Sequence, residues 1–373
     1  MSDAPIYEID VNRFKKDPYP DLKEMRTSTP ICFVPQLNAT MICERDSISE
    51  CEKNTEIFSS EQPNGLMTLL MGQNMMRKDG KAHMNERKKI FRTISPKTSL
   101  NHWLNEFEII ADNILNDIAT KKSGDILNLY ARTFSAECLK KVTGLYNMTA
   151  DEMDRVSQGM IDGCANYVGN KEVEDNCRNC TASIDRHIDD IIEQIIIKPD
   201  FSLISSMTVG NLTREQISAN VKLAISGGQN EPRDAIAGCV WAVLNFELKN
   251  SLFQKIFSWS DVFDEYCRWM SPIGMSPREI KSNFKYKNVN FLKGDRIFLM
   301  FSSANRDDNY FPYPDNYDIK RDKSKSIHFG AGPHYCAGAA IAKTMISQVA
   351  LPKFFDRLPN IKLSKKEYKF DGW

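Results

Sequence analysis

The sequence predicts a mainly α-helical chain with a small β portion, and three observations carry that expectation. Apolar residues recur at intervals of three and four along most of the chain, as in helices with one buried stripe. Glycine (18) and proline (16) are sparse for 373 residues, so long elements are seldom interrupted. Strand-like runs are few and short. A composition of 42% hydrophobic and 26% charged residues belongs to a globular chain with a sizeable core and excludes a disordered or collagen-like one. The length allows two ordinary domains, but no Pro-rich, Ser-rich or repeated linker divides it, so one domain over 1–373 is expected.

Taken in order, the chain opens MSDAPIYEID, without the basic and apolar regions of a secretory leader. A cytoplasmic protein is expected, with its ten cysteines as reduced, mostly buried thiols. No uncharged apolar stretch reaches the ~18 residues of a membrane span, the run 237–246 being too short. Lysine plus arginine balance aspartate plus glutamate at 49 each, so no global field recruits nucleic acid. From Trp103, the positions Leu104, Phe107, Ile110, Ile114, Leu115 and Ile118 make one helical stripe. Ile184, Ile188, Ile191, Ile192 and Ile195 repeat it after the pair Cys177 and Cys180, which has no second CxxC or histidine pair to complete a zinc site. Thr213, with Glu215 and Gln216 soon after it, opens a pattern through Ile217, Val221, Ala224 and Ile225 to Leu244 that predicts one helix of about thirty residues. Lys293-Gly294-Asp295 between two apolar runs predicts a hairpin.

The stretch SIHFGAGPHYCAGAAIAKTMISQVA carries the chemistry. Phe329, Gly330, Gly332, His334, Cys336 and Gly338 lie in a glycine-spaced loop directly before an Ala-rich helix. Unpaired N–H groups and the positive end of the helix dipole there favour thiolate over thiol, as a metal-ligating sulfur requires. The glycines let the backbone approach a flat object without Cβ clashes.

At these residues the sequence resembles the cytochrome P450 family, whose proximal loop reads Phe-x-x-Gly-x-His-x-Cys-x-Gly, matched by Phe329, Gly332, His334, Cys336 and Gly338. The resemblance implies the P450 fold, with Cys336 as the axial thiolate of haem b. Glu265 and Arg268 match the family's Glu-x-x-Arg structural ion pair, and Arg278, ten residues on, matches its propionate-binding arginine. His83 and Arg87 match a His-x-x-x-Arg whose two donors, one turn apart, face the propionates. The motifs come nearest to the self-sufficient P450s and to the aromatic O-demethylase P450s. P450 domains continue into a short β segment beyond the point where this chain reads Asp371-Gly372-Trp373, so that segment is expected to be missing.

On the long helix, Gly227 and Gly228 match the point where the family's helix opens for dioxygen, while Asn230 and Glu231 fall on the positions of its acid and alcohol. The usual threonine is absent. Glu231 is expected to take over proton delivery, with pairing to Arg233 or Lys222 as the alternative, and Pro232 is expected to kink the helix. Leu69, Leu70 and Met71 in the capping loop 66–76, with Tyr167, Ile225 and Ile273, are candidate pocket residues, although core packing explains such a stripe equally well. The absence of phenylalanine from 66–76 weighs against a guaiacol-type substrate.

The function implied is a monooxygenase inserting one oxygen atom from O2 into an apolar substrate, with small aromatics as candidates, by hydroxylation or O-dealkylation. Electrons from NAD(P)H would come through a separate ferredoxin or flavin and iron–sulfur reductase, docking near Arg321, Lys323, Lys325 and Lys343. The alternatives are an H2O2-dependent peroxygenase using Glu231 and a non-catalytic haem-thiolate sensor or ligand carrier.

Overall fold

Among residues 1–364, which this computed structural model describes, seven short strands accompany a predominantly helical chain. Asp371-Gly372-Trp373, and with them the expectation of a missing last β segment, lie outside the described residues. The chain divides into two compact units, one formed chiefly by Met1–Gln62 and Leu244–Cys336, the other by Pro63–Val243 and Ala337–Lys362.

All seven strands belong to the first unit: β1 (Ile31–Val34), β2 (Ala39–Ile42), β3 (Phe58–Ser59), β4 (Ser276–Ile280), β5 (Phe284–Tyr286), β6 (Val289–Phe291) and β7 (Arg296–Leu299). Five form a sheet in the order β1-β2-β7-β4-β3, in which β2 and β7 run parallel and the other pairs antiparallel. Side chains alternate faces along each strand. Ile31, Ile42, Ile280, Ile297 and Leu299 pack with Ile48, Cys51 and Phe58 in one cluster. Cys32, Val34, Met41 and Phe298 pack with Phe14, Leu22 and Met25 in another. Arg278 lies opposite Ile297 in the β4–β7 register, so its side chain leaves the sheet on the Ile297 face.

The expected hairpin across Gly294 is not formed. β6 pairs with β5 through the turn at Lys287 and Asn288, while β7 joins β2 and β4. Gly294, at φ +87°, carries the chain from the two-stranded ribbon into the larger sheet, and its N–H donates to Ile280 O at 2.8 Å. Local spacing pointed to the wrong partner because β7 skips its neighbour β6 to pair with β4 and with the distant β2.

The second unit is helical. In Leu104–Ile118 the residues Phe107, Ala111, Leu115 and Ile118 are buried, and in Lys171–Ile197 so are Ile184, Ile188, Ile191 and Ile195. All ten cysteines are free thiols. Cys177 and Cys180 fill clefts over Gly163 and Gly159 of the helix Ala150–Cys164, where an added Cβ would meet their sulfurs at 2.5 and 2.4 Å. Burial pushes the Cys177 thiol up to about 11, so the pair serves as packing.

The single helix expected from Thr213 to Leu244 is two helices, Arg214–Ser226 and Asn230–Asn245, separated by Gly227, Gly228 and Gln229. Thr213 and Gln216 close a capping box at the start, with Gln216 N donating to Thr213 Oγ1 at 3.3 Å and Thr213 N to Gln216 Oε1 at 2.9 Å. Pro232 does not kink a running helix. It occupies the first turn of the second helix, where a missing N–H and a fixed φ cost nothing. Among the described residues no helix is long and apolar enough to cross a membrane.

Candidate active site

In the first unit, the loop before Cys336 is fixed from several sides. Asn305, fully buried, accepts from Ile327 N at 2.8 Å and Ser326 Oγ at 3.0 Å and donates to Ser271 Oγ at 2.9 Å. Gly330 N donates to Ile327 O at 2.8 Å and Cys336 N to Phe329 O at 2.9 Å, folding the loop back on itself. The Phe329 ring lies 6.2 Å from those of Phe263 and Tyr335. Gly332 has φ +62°, and an added Cβ would stand 2.7 Å from the carbonyl oxygen of Glu52. The glycine at this position is therefore required by close approach to the helix Arg45–Lys53. Cys336 is half-buried, and Gly338 caps the following helix, Ala339–Lys343.

Glu265 and Arg268 form a fully buried bidentate pair, Nε to Oε2 and Nη2 to Oε1 both at 2.8 Å. Arg268 also donates to the carbonyls of Asn305 and Pro314 at 2.9 Å and of Asn316 at 3.1 Å. The pair thus anchors the irregular segment that leads to the cysteine loop. Arg321 joins it, with Nε 3.3 Å from Glu265 Oε1 and Nη2 donating to the carbonyls of Tyr313 and Asn316. Its placement on a docking surface is thereby corrected, because its guanidinium is engaged inside the fold. Lys323 donates to Ile319 O at 2.8 Å, while Lys325 is exposed and Lys343 half-buried.

Arg278, 2% exposed, pairs with Glu52, 1% exposed, and its Nη1 donates to Ser276 Oγ at 2.6 Å and Pro277 O at 2.8 Å. Its Nε is buried with no hydrogen-bond partner. A buried N–H left unmatched is costly, and a carboxylate-bearing cofactor such as haem is the kind of group that would satisfy it. His334 lies two residues before Cys336 in the same loop, so the donors present fit that group.

The second unit holds the remaining predicted residues except Ile273. His83 is buried and Arg87 half-buried, one turn apart on the helix Gly80–Ile94. The neighbouring Glu86 accepts from Asn220 Nδ2 at 3.0 Å and Gln216 Nε2 at 2.8 Å, tying this helix to Arg214–Ser226.

Side chains hold the helix break open. Ser135 Oγ donates to Gln229 O at 2.8 Å, Ser157 Oγ to Ile225 O at 3.2 Å, and Gln229 Nε2 to Arg132 O at 3.2 Å. At Gly228 a Cβ would lie 2.4 Å from Ala224 O, and Gly227 N reaches back to Leu223 O at 3.1 Å. Asn230 is buried and donates to Gln158 Oε1 at 2.9 Å.

Glu231 takes neither pairing offered to it. Lys222 pairs with Asp185 at 2.6 Å and Arg233 with Asp234 at 2.7 Å and Asp154 at 3.3 Å, while Glu231 Oε2 is buried without a hydrogen-bond partner. Burial first, then the charge of Asp234, push the Glu231 carboxyl up to about 7 against its own backbone N–H and Arg233.

The pocket candidates separate by exposure. Leu70, Met71 and Ile225 are buried, Leu70 packing toward Gly163 and Met71 placing its sulfur 3.5 Å from that of Cys164. Leu69, Tyr167 and Ile273 are exposed at 58%, 56% and 42%. Two residues absent from the sequence-based expectations lie against residues that are among them: Ser135 at the helix break and Glu52 beside Arg278. Glu52 was visible as an acid on the apolar face of its helix, four residues after Ile48 and beside Cys51.

A family profile described as cytochrome P450 matches residues 250–358, which hold the Glu265–Arg268 pair, Arg278 and the whole cysteine loop. Over these residues, less than a third of the chain, it is similar to the cytochrome P450 family. Among curated P450 relatives, the vitamin D(3) 25-hydroxylase of Pseudonocardia autotrophica is 25% identical over 298 residues, 78% of this chain and 72% of the relative. Pulcherriminic acid synthase of Bacillus subtilis is 22% identical over 381 residues, 96% and 93% of the two chains. Among solved P450 structures, P450BioI in complex with an acyl carrier protein bearing hexadec-9Z-enoic acid superposes with a TM-score of 0.87 at 18% identity, covering 97% of each chain. CYP109E1 of Bacillus megaterium with testosterone gives 0.85 at 19% identity, covering 96% of this chain and 94% of that one. The mainly helical fold with small sheets is thus the P450 fold.

Proposed function

We propose that this chain is a single-domain, cytoplasmic haem-thiolate monooxygenase that inserts one oxygen atom from O2 into an apolar organic substrate by hydroxylation or O-dealkylation. The observation that carries the reading is the cysteine loop, in which a half-buried thiol is clamped through Cys336 N to Phe329 O at 2.9 Å. Haem b bound at that thiol supplies the activation of O2 and the oxygen transfer. Cys336 would hold its iron through the thiolate. Arg278 and His334 would donate to its propionates, a role that the resemblance also assigns to His83 and Arg87.

The helix break at Gly227 and Gly228 removes ladder bonds where dioxygen needs room, and Ser135 keeps that opening in place. Glu231 replaces the family's acid and alcohol pair. With a carboxyl poised near neutral pH and one oxygen unengaged, it both accepts and releases a proton at Oε2.

Electrons would reach the site from NAD(P)H through a separate ferredoxin or flavin and iron–sulfur reductase, docking near the exposed Lys325. The vitamin D(3) named for one relative and the testosterone bound by a structural neighbour support an apolar substrate class. Small aromatic ethers belong to the same class. Leu69 and Tyr167, both exposed, would be among the side chains that meet such a molecule.

Glu231 also favours a second reading, an H2O2-dependent peroxygenase, because an unpaired acid can deliver the proton that peroxide cleavage requires. One experiment separates the readings. The reduced CO complex should show the red-shifted Soret band of thiolate-ligated haem, and Cys336→Ser should abolish it. Turnover of a panel of apolar ligands should then require reductase and NAD(P)H. Turnover with H2O2 alone supports the peroxygenase, and oxidation under neither condition leaves the sensor. In the monooxygenase, Glu231→Gln should slow product formation and increase peroxide leakage, and unchanged coupling would remove Glu231 from the proton path.

A further inference from the structure

Glu52 belongs to none of the family motifs, yet it is placed among residues that do. It sits on the buried face of Arg45–Lys53 with Ile48 and Cys51, while Arg278 leaves β4 on the Ile297 face of the sheet, against which Ile48 and Cys51 pack. The two side chains therefore meet in the interior, each almost without solvent contact. The helix carrying Glu52 is pressed into the cysteine loop: a Cβ on Gly332 would strike Glu52 O at 2.7 Å, and one on Gly330 would stand 3.6 Å from Glu52 Oε2. The Ala331 backbone and the charge of His334 also act on the Glu52 carboxyl. Burial lifts its proton affinity, and Arg278 and His334 oppose that lift.

An arginine held only by Ser276 Oγ and Pro277 O would be free to swing its guanidinium. With Glu52 engaging Nη2, the plane of the guanidinium is set and Nε is the donor left over. A carboxylate buried in low dielectric beside the cysteine loop also imposes its charge there with little screening.

We propose that Glu52 is a positioning residue that orients Arg278 toward the haem carboxylates and, through its buried negative charge, lowers the reduction potential of the haem. This rests on the haem-thiolate reading above. A neighbouring negative charge disfavours adding an electron, so removing it should raise the potential.

The test uses the haem-loaded protein with Glu52→Gln, Glu52→Asp and Glu52→Ala, read by redox titration and by haem transfer to apomyoglobin. Glu52→Gln keeps an acceptor for Arg278 but not the charge. It should retain haem as the parent does while shifting the reduction equilibrium about tenfold toward ferrous, about 59 mV for one electron. Glu52→Asp should return the potential toward that of the parent. Glu52→Ala should lose haem at least about tenfold faster, since Arg278 is no longer held. A normal thiolate Soret band with an unchanged potential in Glu52→Gln overturns the proposal while leaving the haem-thiolate reading standing. A parent protein that takes up no haem overturns both.

Discussion

Glu231→Gln changes the pH dependence of stability in a direction fixed by the surroundings of the carboxyl. Its pKa rises from an ordinary 4.5 to about 7, chiefly through burial. The folded chain thus holds this proton more tightly than the unfolded chain. The stability that this confers is fully present below about pH 4.5 and is lost as the pH rises through about 7. Each tenfold in proton affinity is worth about 1.4 kcal/mol, so the full loss is at most about 3 kcal/mol. Glutamine fills the same space without titrating. Urea unfolding of both proteins between about pH 5 and pH 8 should show the parent losing about 2 to 3 kcal/mol relative to the variant across that window, whatever constant offset the substitution adds. A difference that stays flat over the window would refute the argument, because it would mean that Glu231 is solvated or paired in the folded chain. A difference of opposite slope would mean that a cation reaches it.

Other substitutions test the packing beneath the site. Glu265→Ala strands the buried Arg268 charge and should cost about 3 to 5 kcal/mol, seen as loss of soluble, haem-binding protein. Gly159→Ala drives a Cβ to 2.4 Å from the Cys180 sulfur and should cost about 1 to 3 kcal/mol in urea unfolding, most of it restored when Cys180→Ala is added, since the Cys180 Cβ stands 3.5 Å away. Gly332→Ala combines φ +62° with a backbone collision against Glu52 and should cost about 1 to 3 kcal/mol, together with the thiolate Soret band. Ser135→Ala leaves the Gly228 and Gln229 carbonyls without their hydroxyl donor and should cost about 1 kcal/mol, with faster amide exchange at Arg233, whose N–H bonds to Gln229 O at 3.2 Å.

What the sequence disclosed, and what it hid, divides by the range of the interaction that decides each feature. The cysteine loop and the Glu265–Arg268 pair were legible because their geometry is set within a turn or a few residues, where spacing is structure. The Gly227-Gly228 opening was legible for the same reason, but its form was not. A continuous helix with a kink at Pro232 and two helices with Pro232 in the first turn of the second share one apolar periodicity. The choice between them is made by Ser135 and Ser157, which hold the carbonyls at the break from other helices. β7 was assigned to β6 because that pairing is local, whereas its partner β2 lies more than two hundred and fifty positions away. Arg321 looked like surface charge because nothing in its neighbourhood announces Glu265.

The same reasoning explains why Glu231 and Glu52, two buried carboxylates, end with opposite characters. Both sit in helices on faces that the fold covers, and both have a raised proton affinity from burial. Glu52 meets an arginine delivered by a strand that enters the core beside it, so its charge is compensated and becomes a fixed part of the field at the cysteine loop. Glu231 meets no cation, because the two lysine and arginine side chains nearest in sequence are committed elsewhere: Lys222 to Asp185 and Arg233 to Asp154 and Asp234. An unpaired buried acid is poorly suited to holding a structure together and well suited to passing a proton, since neither of its protonation states is locked by a partner. The commitments of Asp185 and Asp154 are therefore part of the proton chemistry assigned to Glu231, although neither aspartate is adjacent to it in the chain. A substitution that released Lys222 or Arg233 to reach Glu231 would lower the pKa of its carboxyl and move the pH dependence of stability to the acid side.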